Sequence, residues 1–146
     1  MVNALLADAA LEAIVGERVF WRYGPNGGLS LEEQPTAFDA DNDVLPSLVV
    51  VKEERIRPLD KPKVEMLVGV QRIAVWAFQA RGYGAIALAI RATHRVLHRA
   101  KLTPISDPVN WLDCLWLSDS AELIDPSINA PVQVARFEVA VTDKLT

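Results

Sequence analysis

A long alternating stretch in the middle of the chain, VEMLVGVQRIAVWAFQA at 64–80, is the feature that most constrains the fold. Successive residues of such a stretch fall on opposite faces of a β-strand, and both faces here are mainly apolar. A second run rich in β-branched residues, SLVVVKEE at 47–54, precedes it across a charged, proline-containing turn at 55–63. We therefore predict that the two runs form an extended antiparallel hairpin.

Periodicity and turn residues predict the remaining elements. Helices are expected at 3–15 and 83–98, and strands at 18–21, 111–119 and 131–141. Asn3 and Gly16 suit the start and the end of the first helix. Because the strands occur mostly in adjacent pairs, we predict an α+β fold, with a mostly antiparallel sheet of four to five strands and two helices packed on one face.

Length and composition fit a single domain. The chain has 146 residues, of which 51% are hydrophobic and 23% are charged, so one domain over 1–146 has enough apolar material for a packed core. The segment 22–46 is long, acidic and poorly periodic, and we predict a loop there. Loops of this length in compact domains are usually functional or disordered.

The charge balance and the cysteine count argue against several protein classes. The formal net charge is −4 and the isoelectric point is about 5.1, which disfavours a whole-protein electrostatic grip on nucleic acid. The single cysteine, Cys114, lies in the apolar run WLDCLWL and is expected to be buried. One cysteine forms no internal disulfide, which fits a reducing compartment. No apolar run has the length of a membrane span, and the first residues lack the basic region of a signal peptide.

A glycine-rich turn between the long strand and the second helix has the spacing G-x-G-x-x-A, at Gly82, Gly84 and Ala87. This spacing occurs in dinucleotide-binding turns, where a pyrophosphate approaches a helix N-terminus. The context argues against that use, because the strand belongs to a hairpin and no acidic residue ends a second strand about 20 positions further on. We favour a packing corner and keep a small nucleotide-binding module using Gly82 and Gly84 as an alternative.

Two other patterns have the outline of a metal site. Asp39, Asp41 and Asp43 follow the first ligand spacings of a calcium loop, but the glycine and glutamate that the loop requires are missing. His94 and His98 are one helical turn apart, but arginines surround them and no glutamate accompanies them. No nucleophile elbow and no P-loop is present in the sequence. We therefore predict no catalytic residue, no cofactor and no metal, and hence no enzyme.

Charges of opposite sign are segregated along the chain. The long loop carries five acids, and the second helix carries arginines at i, i+4 and i+8. Our candidate interface residues are Glu32, Glu33, Asp39, Asp41, Asp43, Arg91, Arg95 and Arg99. Two interpretations stay open. Both groups are ordinary solvated faces, or the loop of one subunit meets the helix of the next subunit in a head-to-tail ring.

With its elements in this order, the chain resembles the tail terminator (tail completion) proteins of long-tailed bacteriophages over nearly its whole length. The segments that carry the resemblance are LLADAALEAIVGERVFW, SLVVVKEE, VQRIAVWAFQARGYGAIALAIRATHRVLHR and PVQVARFEVAV. They are similar to the family's opening helix and first strand, its second strand, its strand–turn–helix block and its closing strand. The shared pattern consists of apolar and small residues, and it includes no catalytic residue.

The resemblance implies a structural virion protein that is made in the host cytoplasm. Its expected assembly is a homo-hexameric ring that ends the tail tube and joins it to the head connector. The expected partners are further copies of the chain, the tail tube protein and head connector or stopper proteins, without a membrane. DNA is expected to pass through the lumen without specific binding, which an acidic protein allows. Another neck component, such as a head-completion or stopper protein, is the alternative within this class.

Overall fold

A computed structural model of the protein describes residues 1–22, 28–53, 57–58, 66–100 and 109–144. The helices of this part are α1 (Val2–Leu6), α2 (Ala9–Val15) and α3 (Gly84–Leu97), with a 3₁₀ turn at Pro35–Ala37. The strands are β1 (Val19–Arg22), β2 (Ser47–Lys52), β3 (Arg57–Pro58), β4 (Met66–Phe78), β5 (Val109–Asp119), β6 (Leu123–Asp125) and β7 (Ala130–Lys144).

These strands form one sheet in the order β1-β2-β4-β7-β5, with the short β3 beside β4 and the short β6 beside β7. Within the described ranges, β1 and β2 run parallel and every other pair is antiparallel. The predicted fold class, α+β with a mostly antiparallel sheet, is therefore confirmed. The path of five strands agrees with the expected number, and β3 and β6 are short additions to it.

The predicted hairpin is present as the antiparallel pair β2–β4, in which Ser47 lies opposite Phe78. The long alternating strand also pairs along its whole length, Met66–Phe78, with β7 on its other side. Most of the predicted turn at 55–63 lies outside the described residues. Its described part, Arg57–Pro58, is not a turn, because it pairs with Gly69 and Val70 as β3.

The predicted first helix at 3–15 is two helices, because the chain breaks at Asp8. The backbone of Asp8 is extended (φ −85°, ψ 119°), and its carboxylate accepts a 3.0 Å hydrogen bond from the N–H of Leu11. Aspartate is a strong N-cap, so it begins a new helix here. Gly16 ends α2 with φ 57°, as predicted, whereas Asn3 lies inside α1 and does not cap it. No helix in the described ranges is long and apolar enough to cross a membrane.

All three helices pack on one face of the sheet, as predicted. Ile86, Ile90 and Leu97 of α3 are buried in a core that also contains Ile73 and Phe137 of the sheet. Their i, i+4 and i+11 spacing places them on one helical face, which the sequence had indicated. Cys114 is buried in the same core, as expected for a cysteine in an apolar run.

The long loop covers the other face of the sheet at one end. Leu29, Ala37 and Val44 of the described part, 28–46, are buried against a second core that includes Val49 and Phe78. The segment predicted as a loop at 22–46 is therefore largely a packed layer with few regular elements. This packing explains why β2 is apolar on both sides, with its first five residues buried.

Candidate interaction surfaces

The glycine turn before α3 is occupied by the protein's own side chains. Gly82 adopts φ 69°, a conformation that glycine reaches without strain. The side-chain oxygen of Gln79 accepts the N–H of Ile86 at 2.8 Å, so it occupies part of the helix N-terminus where a phosphate would bind. β4, which leads into the turn, pairs antiparallel with both β2 and β7 rather than within a parallel unit. This geometry fits the packing corner favoured above; the role of Gln79 was not foreseen from the sequence.

All five loop acids are exposed, but two of them, Asp39 and Glu33, also bond to other groups of the chain through their carboxylates. Asp39 organises a tight turn, because its carboxylate accepts the backbone N–H groups of Asp41 and Asp43 at 2.9 Å each. Glu33 forms a 3.1 Å ion pair with Arg22. Glu32, Asp41 and Asp43 are exposed. The calcium-like spacing thus coincides with a turn that is closed by hydrogen bonds to Asp39. Among the described residues, no three His, Cys, Asp or Glu side chains form a group that could hold a metal ion.

The basic stripe is shorter than the sequence suggested. Arg91 and Arg95 are exposed on α3, but the helix ends at Leu97 and Arg99 lies beyond it with φ 61°. The prediction that Arg99 continues the stripe on the helix at i+8 is therefore wrong. The extended backbone of His98 ends the helical repeat before Arg99 is reached.

Arg95 already has a partner within the chain. Its guanidinium donates to both carboxylate oxygens of Asp8, at 2.9 and 3.0 Å, and so ties α3 to the start of α2. The pKa of Asp8 is lowered, first by the hydrogen bond from the N–H of Leu11 and further by Arg95. Arg91 and Arg99 have no ion pair with any described residue, whereas the ion pair of Arg95 with Asp8 stabilises the packing of α3 against α2.

His94 of α3 and His98, which directly follows the helix, both contact strand β5. Nε2 of His94 lies 2.7 Å from a carboxylate oxygen of Asp119, which also accepts the indole N–H of Trp116 at 3.0 Å. Nδ1 of His98 accepts the backbone N–H of Trp116 at 3.1 Å. The rings of His94 and Trp116 lie 4.8 Å apart. Each histidine thus joins the helix side of the fold to the sheet, and Trp116 contacts His94, His98 and Asp119.

The outer edge of the sheet beside β7 is an apolar surface. Five large side chains there are 43% to 53% exposed: Leu115, Trp116, Leu117, Leu123 and Ile124. We call these residues the β5–β6 edge. The segment after α3 covers part of its backbone, because the N–H of Arg99 donates to the carbonyl of Cys114 and the N–H of Cys114 donates to Ala100. Tyr83 donates its hydroxyl to the carbonyl of Leu123 at 2.6 Å. A partner at this edge would therefore contact mainly side chains rather than backbone groups.

The predicted acidic and basic residues lie on opposite sides of the sheet. The loop packs on the face that includes Val49 and Phe78, and α3 packs on the face that includes Ile73 and Phe137. No ion pair among the described residues joins the five loop acids to Arg91, Arg95 or Arg99. The structure brings Asp39, Asp41 and Asp43 together in one turn and places Arg91 one helical turn from Arg95, but no ion pair between described residues joins the two groups within one chain.

Comparison with known proteins shows that the fold occurs in a chain of a solved structure. No protein-family model and no curated protein sequence matches the chain. A chain in the solved structure described as "Virion of native gene transfer agent (GTA) particle" is similar, with a TM-score of 0.63 and 19% sequence identity. The similarity covers 97% of this chain and 91% of that chain. The two chains therefore share a fold over nearly their whole lengths, and that fold is one found in a component of a virion.

Proposed function

We propose that the protein is a structural component of a phage-like virion and that it is not an enzyme. The observation that carries this proposal is the shared fold with a chain of a gene transfer agent virion, which covers 97% of the chain. A match over nearly the whole length supports treating 1–146 as one domain, because little of the chain is left for another.

Within that class, we propose that the chain is a ring-forming tail terminator. Its homo-hexameric ring would cap the tail tube and join it to the head connector or stopper proteins. The support is the resemblance of the helix, strand and closing-strand segments to that family, together with a fold that suits the resemblance. The net charge of −4 suits a lumen through which DNA slides without specific binding.

Contacts between copies follow from the separation of charge across the sheet. Because the loop acids and the arginines near α3 lie on opposite sides of one chain, they meet only if two copies associate head to tail. The residues most available for that contact are Glu32, Asp41 and Asp43 on one side and Arg91 and Arg99 on the other, since these are exposed and form no ion pair with a described residue. Glu33, Asp39 and Arg95 have bonds within the chain and would contribute through the local field.

A tube-capping assay tests the proposed role directly. Purified protein is added to growing tail tubes, and electron micrographs record tube length and any ring at the tube end. We expect tubes of limited length with a ring at one end. Pull-downs against tube protein and connector separately distinguish a terminator from another neck component, which would retain connector and not tube. Tubes of unchanged length without rings would refute the terminator.

Charge variants test the contact. Arg91→Glu is a cleaner probe than reversal at Arg95, which would also break the bond to Asp8. We expect Arg91→Glu to weaken ring formation, and the effect should be largest at low salt because salt screens exposed ion pairs. Adding Asp41→Lys in the same chain should restore part of the loss, because opposite charges then face each other again. Glu12→Lys, at an exposed site on α2, is the control. Unchanged assembly by Arg91→Glu would show that the stripe is merely solvated.

The nucleotide-binding alternative has its own test. A thermal-shift screen with NAD, FAD and ATP should give no stabilisation, because Gln79 already bonds the N–H of Ile86 at the start of α3. A reproducible rise in Tm that disappears in Gly84→Val would restore that alternative. Gly84 is suited to this control because a Cβ atom there meets no described atom within 4 Å.

A further inference from the structure

We propose that the β5–β6 edge of one copy receives the outer surface of α3 of the next copy, around Leu88, and that Trp116 anchors this contact. The proposal rests on the ring proposed above and adds an apolar centre to its charged contact. The receiving residues are Leu115, Trp116, Leu117, Leu123 and Ile124. The inserting surface contains Leu88, which is 56% exposed, with Arg91 and Arg95 on the same side of the helix.

The β5–β6 edge is large enough to form the centre of an interface. Its five side chains, each about half exposed, present on the order of 400 Å² of apolar surface in total, which is divided between the two faces of the sheet because neighbouring residues of a strand alternate. A standard protein interface buries about 800 Å² on each partner, and its centre is the apolar part. Apolar patches of a few hundred Å² occur on typical monomers and are often functional.

Trp116 is oriented for binding before a partner arrives. Its indole N–H is bonded to Asp119, its backbone N–H to His98, and its ring lies against His94. A side chain fixed in this way loses little conformational freedom on association. Tryptophan is one of the residue types that most often contribute a large share of the binding energy of an interface. The bonds between α3 and β5 thus hold an anchor in place.

Charge complementarity identifies the occupant as another copy of this chain. The sequence has no Lys or Arg between Lys101 and Arg136, and the exposed acids Asp113 and Glu122 flank the apolar edge. Leu88, in contrast, has arginines one and two turns further along α3. Gly84 and Ala87, both exposed, leave that surface free of bulky side chains, so a partner can approach closely.

The two surfaces belong to different parts of one chain, so the proposed contact is heterologous. Such contacts close into a ring when the rotation between neighbouring copies permits it. The acidic loop lies at the same end of the sheet as β6, because Ala130 and Val132 pair with β6 and also contact the loop's core. A neighbour's α3 would then meet apolar side chains at the centre and loop acids at the rim.

Disulfide trapping tests the contact. In Leu88→Cys/Leu123→Cys, oxidation at high protein concentration or on tail tubes should give a ladder of covalent multimers up to the ring. The native Cys114 is buried and does not interfere. Leu6→Cys/Leu123→Cys is the matched control, since Leu6 is exposed but lies outside both surfaces. No ladder, or an equal ladder in the control, would overturn the proposal.

A mixing experiment tests its head-to-tail sense. Leu88→Asp spoils the inserting surface, and Leu123→Asp/Ile124→Asp spoils the receiving surface, so each variant alone should need roughly 30-fold more protein to associate. Their mixture keeps one good contact and should give mixed dimers that do not grow. Failure of the mixture to form dimers, or full assembly by either variant, contradicts the pairing.

The outcomes separate this proposal from the proposed function. Capped tubes and rings without a disulfide ladder would leave the tail role standing and remove the contact assigned to Leu88 and Leu123. A ladder in a protein that neither binds nor caps tubes would support the contact and remove the tail role. A wild-type protein that stays monomeric at high concentration and on tubes would overturn both.

Discussion

The break at Asp8 gives the sharpest prediction about stability. Asp8 caps α2 through the N–H of Leu11 at 3.0 Å and holds Arg95 of α3 through both carboxylate oxygens. Asp8→Ala removes the cap and the ion pair, whereas Asp8→Asn keeps a capping oxygen and removes the charge. Loss of an N-cap costs about 1 kcal/mol, and loss of an exposed ion pair costs about 0.5 kcal/mol. We therefore expect roughly 1.5 kcal/mol for Asp8→Ala and roughly 0.5 kcal/mol for Asp8→Asn.

Urea unfolding followed by far-UV circular dichroism measures these differences, and thermal unfolding provides a check. For a domain of this size, 1.5 kcal/mol corresponds to a fall in Tm of roughly 3–6 °C. Asp41→Asn is the control for loss of one negative charge, because Asp41 is exposed and its side chain caps no helix. It should change the free energy of unfolding by less than about 0.5 kcal/mol.

The same carboxylate predicts a dependence on pH. Its pKa is lowered in the folded protein, by the N–H of Leu11 first and by Arg95 after it. The unfolded chain therefore binds the proton more readily, so the stability contributed by ionised Asp8 is complete above its unfolded pKa of about 4. That contribution is lost as the pH falls through the folded pKa. The difference between wild type and Asp8→Asn should be constant near neutral pH and shrink below about pH 4.

Two results would refute this reasoning. If Asp8→Asn lost as much stability as Asp8→Ala, the ion pair with Arg95 rather than the cap would dominate. If Asp8→Ala stayed within a few tenths of a kcal/mol of wild type, the cap would contribute little, and the division of the first helix would need another cause.

Other predictions follow from single residues, and urea unfolding measures the first two. Gly82→Ala should destabilise by about 1 kcal/mol because φ is 69°, whereas Gly84→Ala should be neutral or slightly stabilising. Arg99→Gly should stabilise by about 0.5 kcal/mol by relieving its positive φ. Cys114 is buried and burial raises its pKa to about 12, so a thiol reagent at pH 8 should label it only after unfolding.

Local periodicity explains which parts of the fold were predictable. The alternation at 64–80 identified β4, and the apolar spacing of Ile86, Ile90 and Leu97 identified the buried face of α3. Both patterns arise from neighbours a few positions apart, and the sequence displays them directly. The antiparallel pairing of β2 with β4 was also predictable, because a short connection leaves little choice of direction.

Other features depend on contacts that no local pattern records. β1 lies parallel to β2 because the intervening loop returns the chain to the opposite end of the sheet. That loop contains scattered apolar residues without a period, and Leu29 and Val44 are buried in a core that they share with Val49 of β2. The division of the first helix was visible in principle, since Asp8 is a strong capping residue within an otherwise helical run.

The candidate surfaces were the least predictable part, for a physical reason. A sequence shows charge directly, so the loop acids and Arg91 attracted attention, but it does not show which charges already have partners. Arg95 is bonded to Asp8 across the helices, and Asp119 is bonded to His94 at a separation of 25 residues. The apolar run around Trp116 was predicted as a strand, which it is, yet only the sheet order places that strand at an edge.

The edge position of β5 accounts for the exposure of its apolar side chains. A central strand buries such residues against its neighbours, whereas an edge strand leaves them to water or to another molecule. Here Arg99 and Ala100 bond to the backbone of Cys114 and so cover part of the edge, whereas Trp116 and its neighbours stay half exposed. Covering part of the backbone disfavours indiscriminate strand addition, and the exposed side chains remain available for a specific contact. The bonds that fix Trp116 also join α3 to β5 and so stabilise the fold, and they leave the indole half exposed for the contact proposed above.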